Sequence, residues 1–530
     1  SDVYKRQTYP EATRIIKQQQ AAGALIMDYA GHGDPTQMSH ESVLKLTDFA
    51  DFRNTNLPLW VTASCDIMPF DGLEANIGEY ALLNNKGGAV AFYGTTRTVY
   101  AQYNRHINRA FIHRVLSLVD GKPITIGEAH RLAQNDLVSG NGPTSGSDVT
   151  VNHLHYSLLG DPALALNLPM HQIVVDSING IPVAGAATLP MLKAGSIARM
   201  AGHIEGADDF RGVITATVRD SKETVTCRLN DTGKDGAEKA FEYKDRTKTL
   251  FQGTDSVRGG KFTFSFAVPL DINYSNQSGL VNLYAVNTAK TLSAHGSSEQ
   301  FTVGESEEQK NDSIGPSIYC YLNSPSFVDG GNVNTTPFFV AKIIDKDGIN
   351  AAGSGIGHDL QLVIDGDMSK TYVLNSNFIY DFGTYTSGST YYSIPLLEPG
   401  KHELTFRAWD IQNNSSTVKL RFNVVKALSP ALFDVGVTAN PAKTSTTFII
   451  SHDRTESDMD VVVEVFDSSG RQHWRHSESG VPTSGSYTVS WDLTSDSGTP
   501  LGTGVYLYRV KVASDGSSYT SKVKKLIIIK

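Results

Sequence analysis

A change of texture at Pro169 limits what this chain can fold into more than any other feature. Before it, apolar runs of strand length alternate with helical patterns. Tyr9-Pro-Glu-Ala12 opens a helix to about Ala21 with Pro10 suited to the first turn, and strands are expected at Ala24–Tyr29, Leu57–Ala63 and Gly88–Tyr93. A helix at Ile77–Asn85 precedes the third strand, and amphipathic segments at Asn104–Val119 and Thr125–Leu137 follow it. Short apolar strands separated by helices predict a parallel sheet covered on both faces, an α/β unit. After Pro169 helical periodicity disappears. Alternating runs such as Gly212–Val218, Lys261–Phe266 and Leu280–Val286, set between Gly, Asp, Asn and Ser turns, predict β-sandwiches.

The 530 residues hold three or four domains at about 150 residues each. The polar stretch Gly304–Ser313 reads as a linker, a second strand-rich block spans Pro316–Val425, and a break at Ala427–Pro430 opens the last block, which ends in Lys525-Leu-Ile-Ile-Ile-Lys530. The expected organisation is an α/β unit over 1–170 and β-sandwiches over 171–305, 306–427 and 428–530. A net charge of −9 disfavours nucleic acid as a partner. No run approaches the roughly 18 apolar residues of a spanning helix, so any membrane association is expected through a partner. The start at Ser1, without an initiator Met or an export signal, reads as a truncation and carries no information about export.

Cys65, Cys227 and Cys320 are too few and too scattered for a disulfide framework. Strand Ala24–Tyr29 runs into Ala30-Gly31-His32-Gly33-Asp34, and strand Leu57–Ala63 runs into Ser64-Cys65-Asp66. A His and a Cys therefore stand at the carboxyl ends of consecutive parallel strands, where open α/β sheets carry their sites. Neighbouring strands lie about 4.8 Å apart, within side-chain reach, and a nearby imidazole turns a weakly ionised thiol into a competent nucleophile. The flanking glycines let the backbone approach a substrate and leave N–H groups for an oxyanion. Singly, Gly-His-Gly is often only a turn and a lone Cys a small core residue; the pairing on successive strand ends favours catalysis. Cys227 and Cys320 lie in strand patterns and read as inert core thiols. His106, His113, His130, His153 and His155 read as surface or satisfied core positions. With no CxxC or HxxxH cluster, no metal is assigned to His32 and Cys65. No cofactor is required; Asp345-Lys-Asp-Gly348 and Asp365-Gly-Asp367 could supply carboxylates to a structural calcium, although hairpin turns are the favoured reading.

Asp28-Tyr-Ala-Gly-His-Gly33, Thr62-Ala-Ser-Cys-Asp66, Gly87–Gly94 and Leu158-Leu-Gly-Asp-Pro-Ala-Leu164 resemble, in order, the second half of the caspase-like domain of gingipain-type cysteine peptidases. Asp347-Gly-Ile-Asn350, Gly353–Asp359 and Gly400–Asp410 resemble the PorU-type sortases of the type IX secretion system. The last block, with Asn440–Phe448, Val463–Gly470, Trp491-Asp492, Gly504–Arg509 and Lys524–Lys530, resembles an Ig-like C-terminal sorting domain. The resemblance implies a multidomain protein: a partial α/β caspase-like catalytic domain followed by three all-β Ig-like sandwiches. It implies His32 as general base, Cys65 as nucleophile, and the backbone N–H groups of Gly33 and Cys65 as oxyanion hole. It further implies a transpeptidase at the cell surface of a Gram-negative bacterium, associated with the outer membrane. Such an enzyme cleaves the C-terminal sorting domain from secreted cargo, passes the cargo to anionic lipopolysaccharide, and docks its own last domain on an outer-membrane β-barrel partner. The first half of the domain, expected to carry the acid that orients His32 and much of the specificity pocket, has no counterpart here, so activity of this length of chain alone is not implied. Asp28, on the same strand face, gives no reason to be assigned that role. The alternatives are a secreted gingipain-like endopeptidase and a non-catalytic surface scaffold or adhesin.

Overall fold

The computed structural model describes residues 9–139, 148–227, 239–307, 312–352, 357–482 and 485–529. Parts of two motifs, residues 353–356 and Lys530, lie outside the described residues, as do Ser1–Gln7 and residues 308–311 of the expected linker. The chain divides into two compact units, Ser1–Met170 and His171–Lys530.

In the first unit, α1 (Pro10–Ala22) starts with its proline in the first turn, where no N–H is needed. Strand β1 (Ile26–Ala30) leads into three two-residue strands, β2 (Gly33–Asp34), β3 (Gln37–Met38) and β4 (Leu44–Lys45), and then α2 (Leu46–Asp51). Next come β5 (Leu59–Ala63), α3 (Ile77–Leu83), β6 (Ala91–Thr95), α4 (Ala101–Val115), α5 (Ile126–Val138), α6 (Thr150–His155) and β7 (Tyr156–Gly160). The main sheet has the order β1-β5-β6-β7. The first three strands are parallel, as expected, but β7 runs antiparallel to β6. All five residues of β5 and of β6 are buried, the mark of strands covered on both faces. Leu59, Val61, Ala91 and Tyr93 face α4 and α5 through Ile107, Phe111, Ala129 and Ala133. Trp60 and Phe92 face the other way, onto Phe49, Ile77 and Ala81 of α2 and α3.

The second unit is built of strands. Its first block departs from a sandwich of two separate sheets. Seven strands, His171–Ile178, Ile197–Ile204, Lys261–Ala267, Thr249–Arg258, Gly212–Arg219, Leu280–Asn287 and Ser293–Ser298, pair in that order. The ring closes where His171 and Gln172 pair in parallel with Ala294 and His295. Closure removes the exposed edges of an open sheet. The first three residues of the expected linker are also strand: Thr302–Ser306 pairs in parallel with Met191–Ala194. The next block holds a four-stranded and a five-stranded sheet, the latter containing Gly400–Trp409 and Ser415–Val424. One apolar core runs unbroken from Ile173 to Val424. Phe251 lies 5.1 Å from Tyr380, and the Leu270 N–H donates to the Ile411 carbonyl, so strands on both sides of residue 305 share it.

The last block has a separate core, Val435 to Ile528, between a three-stranded and a five-stranded sheet. Phe448 is fully buried there, with its ring 5.7 Å from Trp474, 6.0 Å from Trp491 and 5.2 Å from Tyr508. Arg454, also fully buried, donates to the Leu428 carbonyl at 2.8 Å and so ties the start of the block to its interior.

His452 beside it is 2% exposed, and its Nδ1 accepts the Arg454 N–H at 3.1 Å, which requires the neutral ring. Burial first, and then the Arg454 charge, bring its pKa down to about 4. The folded value lies below that of the unfolded chain, so unfolding takes up a proton. Stability is complete above about pH 6.5 and is lost as the pH falls toward 4. Replacing His452 by Gln should flatten that dependence, wild type losing about 2 to 4 kcal/mol more than the variant between pH 7 and pH 4. Urea unfolding followed by Trp474 and Trp491 fluorescence, with Trp60 and Trp409 changed to Phe, measures it; parallel curves would show that the imidazole does not titrate with unfolding.

Candidate active site

The register of β1 on β5 sets the site. Ala30 pairs with Ala63 at the last rung, and the Gly31 N–H continues the ladder to the Ala63 carbonyl at 3.2 Å. His32 and Cys65 each stand two residues beyond that rung, at the carboxyl edge of the sheet. Closest contact comes from the residues beside them: a Cβ on Gly33 would stand 2.3 Å from the Ser64 Oγ and 3.1 Å from Ile67 Cδ1. The glycines flanking His32 thus have steric reasons that the sequence did not disclose, since a Cβ on Gly31 would stand 2.6 Å from the Tyr29 Oη.

That Tyr29 hydroxyl donates to the His32 carbonyl at 2.6 Å, and the Ser39 N–H donates to the same oxygen at 2.8 Å. The imidazole is exposed and stacks on His40, with ring centroids 4.8 Å apart and planes 15° from parallel. Cys65 is half-buried against the α4 and α5 side of the core, and its thiol donates to the Val99 carbonyl at 3.5 Å. Among the described residues no hydrogen bond joins Cys65 to His32. The turn that carries Cys65 is stitched to the loop after β6: the Thr95 Oγ1 donates to the Ser64 carbonyl at 2.5 Å and the Asp66 N–H to the Arg97 carbonyl at 3.3 Å. Asp66, in the left-handed region at φ 46°, accepts the Thr98 hydroxyl at 2.7 Å. Arg97 makes a two-pronged ion pair with Asp71, and that hydrogen bond holds the Asp71 carboxyl below its ordinary range. The Cys65 N–H has no acceptor among the described residues and is available to an incoming anion.

Asp28 does not face His32. Its carboxylate accepts the Asn108 amide at 2.8 Å on the α4 side, where it and Cys65 add to the burial that pushes the Tyr156 hydroxyl far up. Of the other histidines, His155 props the loop over Cys65 by bonding the Thr98 carbonyl at 3.1 Å. His130 is held toward the neutral form, by burial first and then by His153. Cys320 is buried and its thiol is pushed up to about 12 by burial, the inert core residue expected. Cys227 is not: it directly follows Glu223–Thr226, the first strand of a short hairpin with Glu242–Asp245, and is only half-buried. Its alternating neighbours read as a core strand, but among the described residues the partner strand Glu242–Asp245 is exposed at all four positions. Tyr29, Ser64, His40 and Val99 escaped the sequence reading because each acts through the tertiary pairing of two strand ends.

Among the described residues no group of three or more His, Cys, Asp or Glu is placed to hold a metal ion. In the two acidic turns, Asp345 accepts the Asp347 and Gly348 N–H groups, and Asp365 accepts His402 and the Glu403 N–H. No helix among the described residues is long and apolar enough to cross a membrane.

Residues 1–167 match the model of peptidase family C25. The match fills the first unit almost end to end, and that unit belongs to the family. Over 84% of its length the chain is 33% identical to dimeric latent PorU from Porphyromonas gingivalis, spanning 41% of that protein, with a TM-score of 0.35. The chain covers about two-fifths of the PorU chain it matches. It is also similar to the Arg-specific cysteine proteinase gingipain R, at 17% identity over 55% of this chain and 56% of that one, TM-score 0.26. A complex of the RgpB pro- and mature domains from Porphyromonas gingivalis gives 15% identity over 55% and 57%, TM-score 0.27. No curated protein matches the chain.

Two outcomes follow from the packing. Gly33→Ala should drive the strand ends apart and lower stability by about 1 to 3 kcal/mol, while Ser64→Ala, which removes a buried hydroxyl that has no partner among the described residues, should restore most of it. Thermal unfolding of the two single variants and the double variant measures this; an uncompensated double variant would place the strain elsewhere. In the native chain iodoacetamide should modify Cys65 and Cys227 and spare Cys320, as peptide mass mapping would show.

Proposed function

We propose that the chain carries the caspase-like, nucleophile-bearing part of a cell-surface cysteine transpeptidase of the PorU type, followed by β modules of which the last is an Ig-like docking domain. The observation that carries the reading is the shared register of the two strand ends, His32 and Cys65 each two residues past the Ala30–Ala63 rung, inside a unit of peptidase family C25. In this reading His32 takes the thiol proton of Cys65, and the thiolate attacks the carbonyl carbon of the scissile bond. The N–H groups of Gly33 and Cys65 receive the oxyanion. Collapse expels the sorting domain as an amine, which His32 protonates, and leaves the cargo as a thioester on Cys65. An amine acceptor on anionic lipopolysaccharide then attacks the thioester, His32 accepting its proton, and the new amide releases the thiol. Attack by water instead would make the protein an endopeptidase.

The substrates on this reading are secreted proteins with C-terminal sorting domains. The site of action is the outer face of the outer membrane, with residues 428–530 docked on a β-barrel partner. The separate core of that last block supports its role as an independent docking module.

A peptide spanning a sorting-domain junction and carrying a thiol-reactive group should label Cys65 in the protein. Cys65→Ala should abolish acyl-enzyme formation and Cys227→Ala leave it intact, as mass spectrometry of the trapped species would show. Label on Cys227 would refute the assignment. With substrate and a competing amine, an amine adduct is expected; hydrolysis product alone would favour the endopeptidase.

A further inference from the structure

A general base must hold its ring toward the nucleophile, and in many Cys–His sites a carboxylate or amide bonded to the far nitrogen of the ring does this. Among the described residues nothing of that kind bonds the His32 ring. Glu41, the acid beside it, is held low first by its own backbone N–H and in part by the His40 and His32 charges, but among the described residues no hydrogen bond joins its carboxylate to the His32 ring. The near-parallel stack on His40 is the contact that His32 does make.

The segment presenting His40 is built at a conformational cost. Ser39 and Ser42 both lie in the left-handed region, at φ 64° and 53°, a conformation that residues other than Gly rarely adopt and that clusters at functional sites. The turn is closed by the Ser42 N–H on the Ser39 carbonyl and by the Ser42 hydroxyl on Gln37. It is anchored from below by Met38 and Leu44, each 1% exposed. On the other side Tyr29 and Ser39 occupy both lone pairs of the His32 carbonyl, so the peptide from which the imidazole projects is fixed as well. Two anchored backbones with a ring from each lying face to face leave His32 little rotation that keeps the stack.

We propose that His40 is a positioning residue for His32: its ring, held by the β3–β4 turn, fixes the plane of the base. The inference rests on the dyad reading above. Both rings are exposed, so their loss should leave folding intact.

The second-order rate of Cys65 alkylation by iodoacetamide, in the full chain and from about pH 5 to about pH 9, tests it without needing turnover. His40→Ala should slow the rate at neutral pH by about twofold to tenfold and move the midpoint of the profile, with the melting temperature unchanged. His40→Phe, which keeps the ring and loses the charge, should restore the rate. A wild-type rate and midpoint in His40→Ala, or a His40→Phe variant as slow as His40→Ala, would overturn the proposal. His32→Ala separates the two levels. If it slows alkylation while His40→Ala does not, the positioning role alone fails; if His32→Ala has no effect, the dyad and the positioning role fall together.

Discussion

The pairing of Ala30 with Ala63 is the constraint on which the rest of the first unit depends. Two parallel strands ending at the same rung present their next residues side by side, which sets His32 and Cys65 at one edge of the sheet. The price is steric crowding between the strand ends, which Gly31 and Gly33 relieve, with Tyr29 and Ser64 filling the space a Cβ would take. Slipping the register by one residue would turn every side chain of β1 to the opposite face, moving Asp28 onto the Trp60 side and Tyr29 onto the Tyr93 side.

Much of this arrangement was legible in the sequence. β5 and β6 are continuous apolar runs, Pro10 marks a helix start, and the His and Cys each follow a strand directly, so the edge on which they lie could be read from order alone. The company they keep could not. Tyr29, His40 and Ser64 act on neighbours brought by turn geometry or by strand pairing, and nothing in their local pattern distinguishes them from ordinary strand and turn residues. The direction of β7 was hidden for a related reason: an apolar run has no polarity, and its antiparallel return shows only in its pairing with β6.

The β blocks show the same limit at larger scale. Alternation along Gly212–Arg219 or Lys261–Ala267 states that one face is buried, which holds equally for a sandwich and for a closed sheet. Closure is decided by two residue pairs, His171 with Ala294 and Gln172 with His295, more than a hundred positions apart. Likewise Thr224-Val-Thr-Cys227 alternates as a core strand does, but its partner strand carries four exposed residues.

The unbroken core from Ile173 to Val424 bears on how such a protein can be inherited. A change of strand pattern near residue 305 invites the idea of two exchangeable cassettes. Yet Phe251 rests on Tyr380, and a Cβ on Gly348 would collide with Ala267, so severing the chain there would expose apolar faces on both pieces. Recombination can therefore exchange the last hundred residues, which own their core, far more freely than it can separate the two blocks before them.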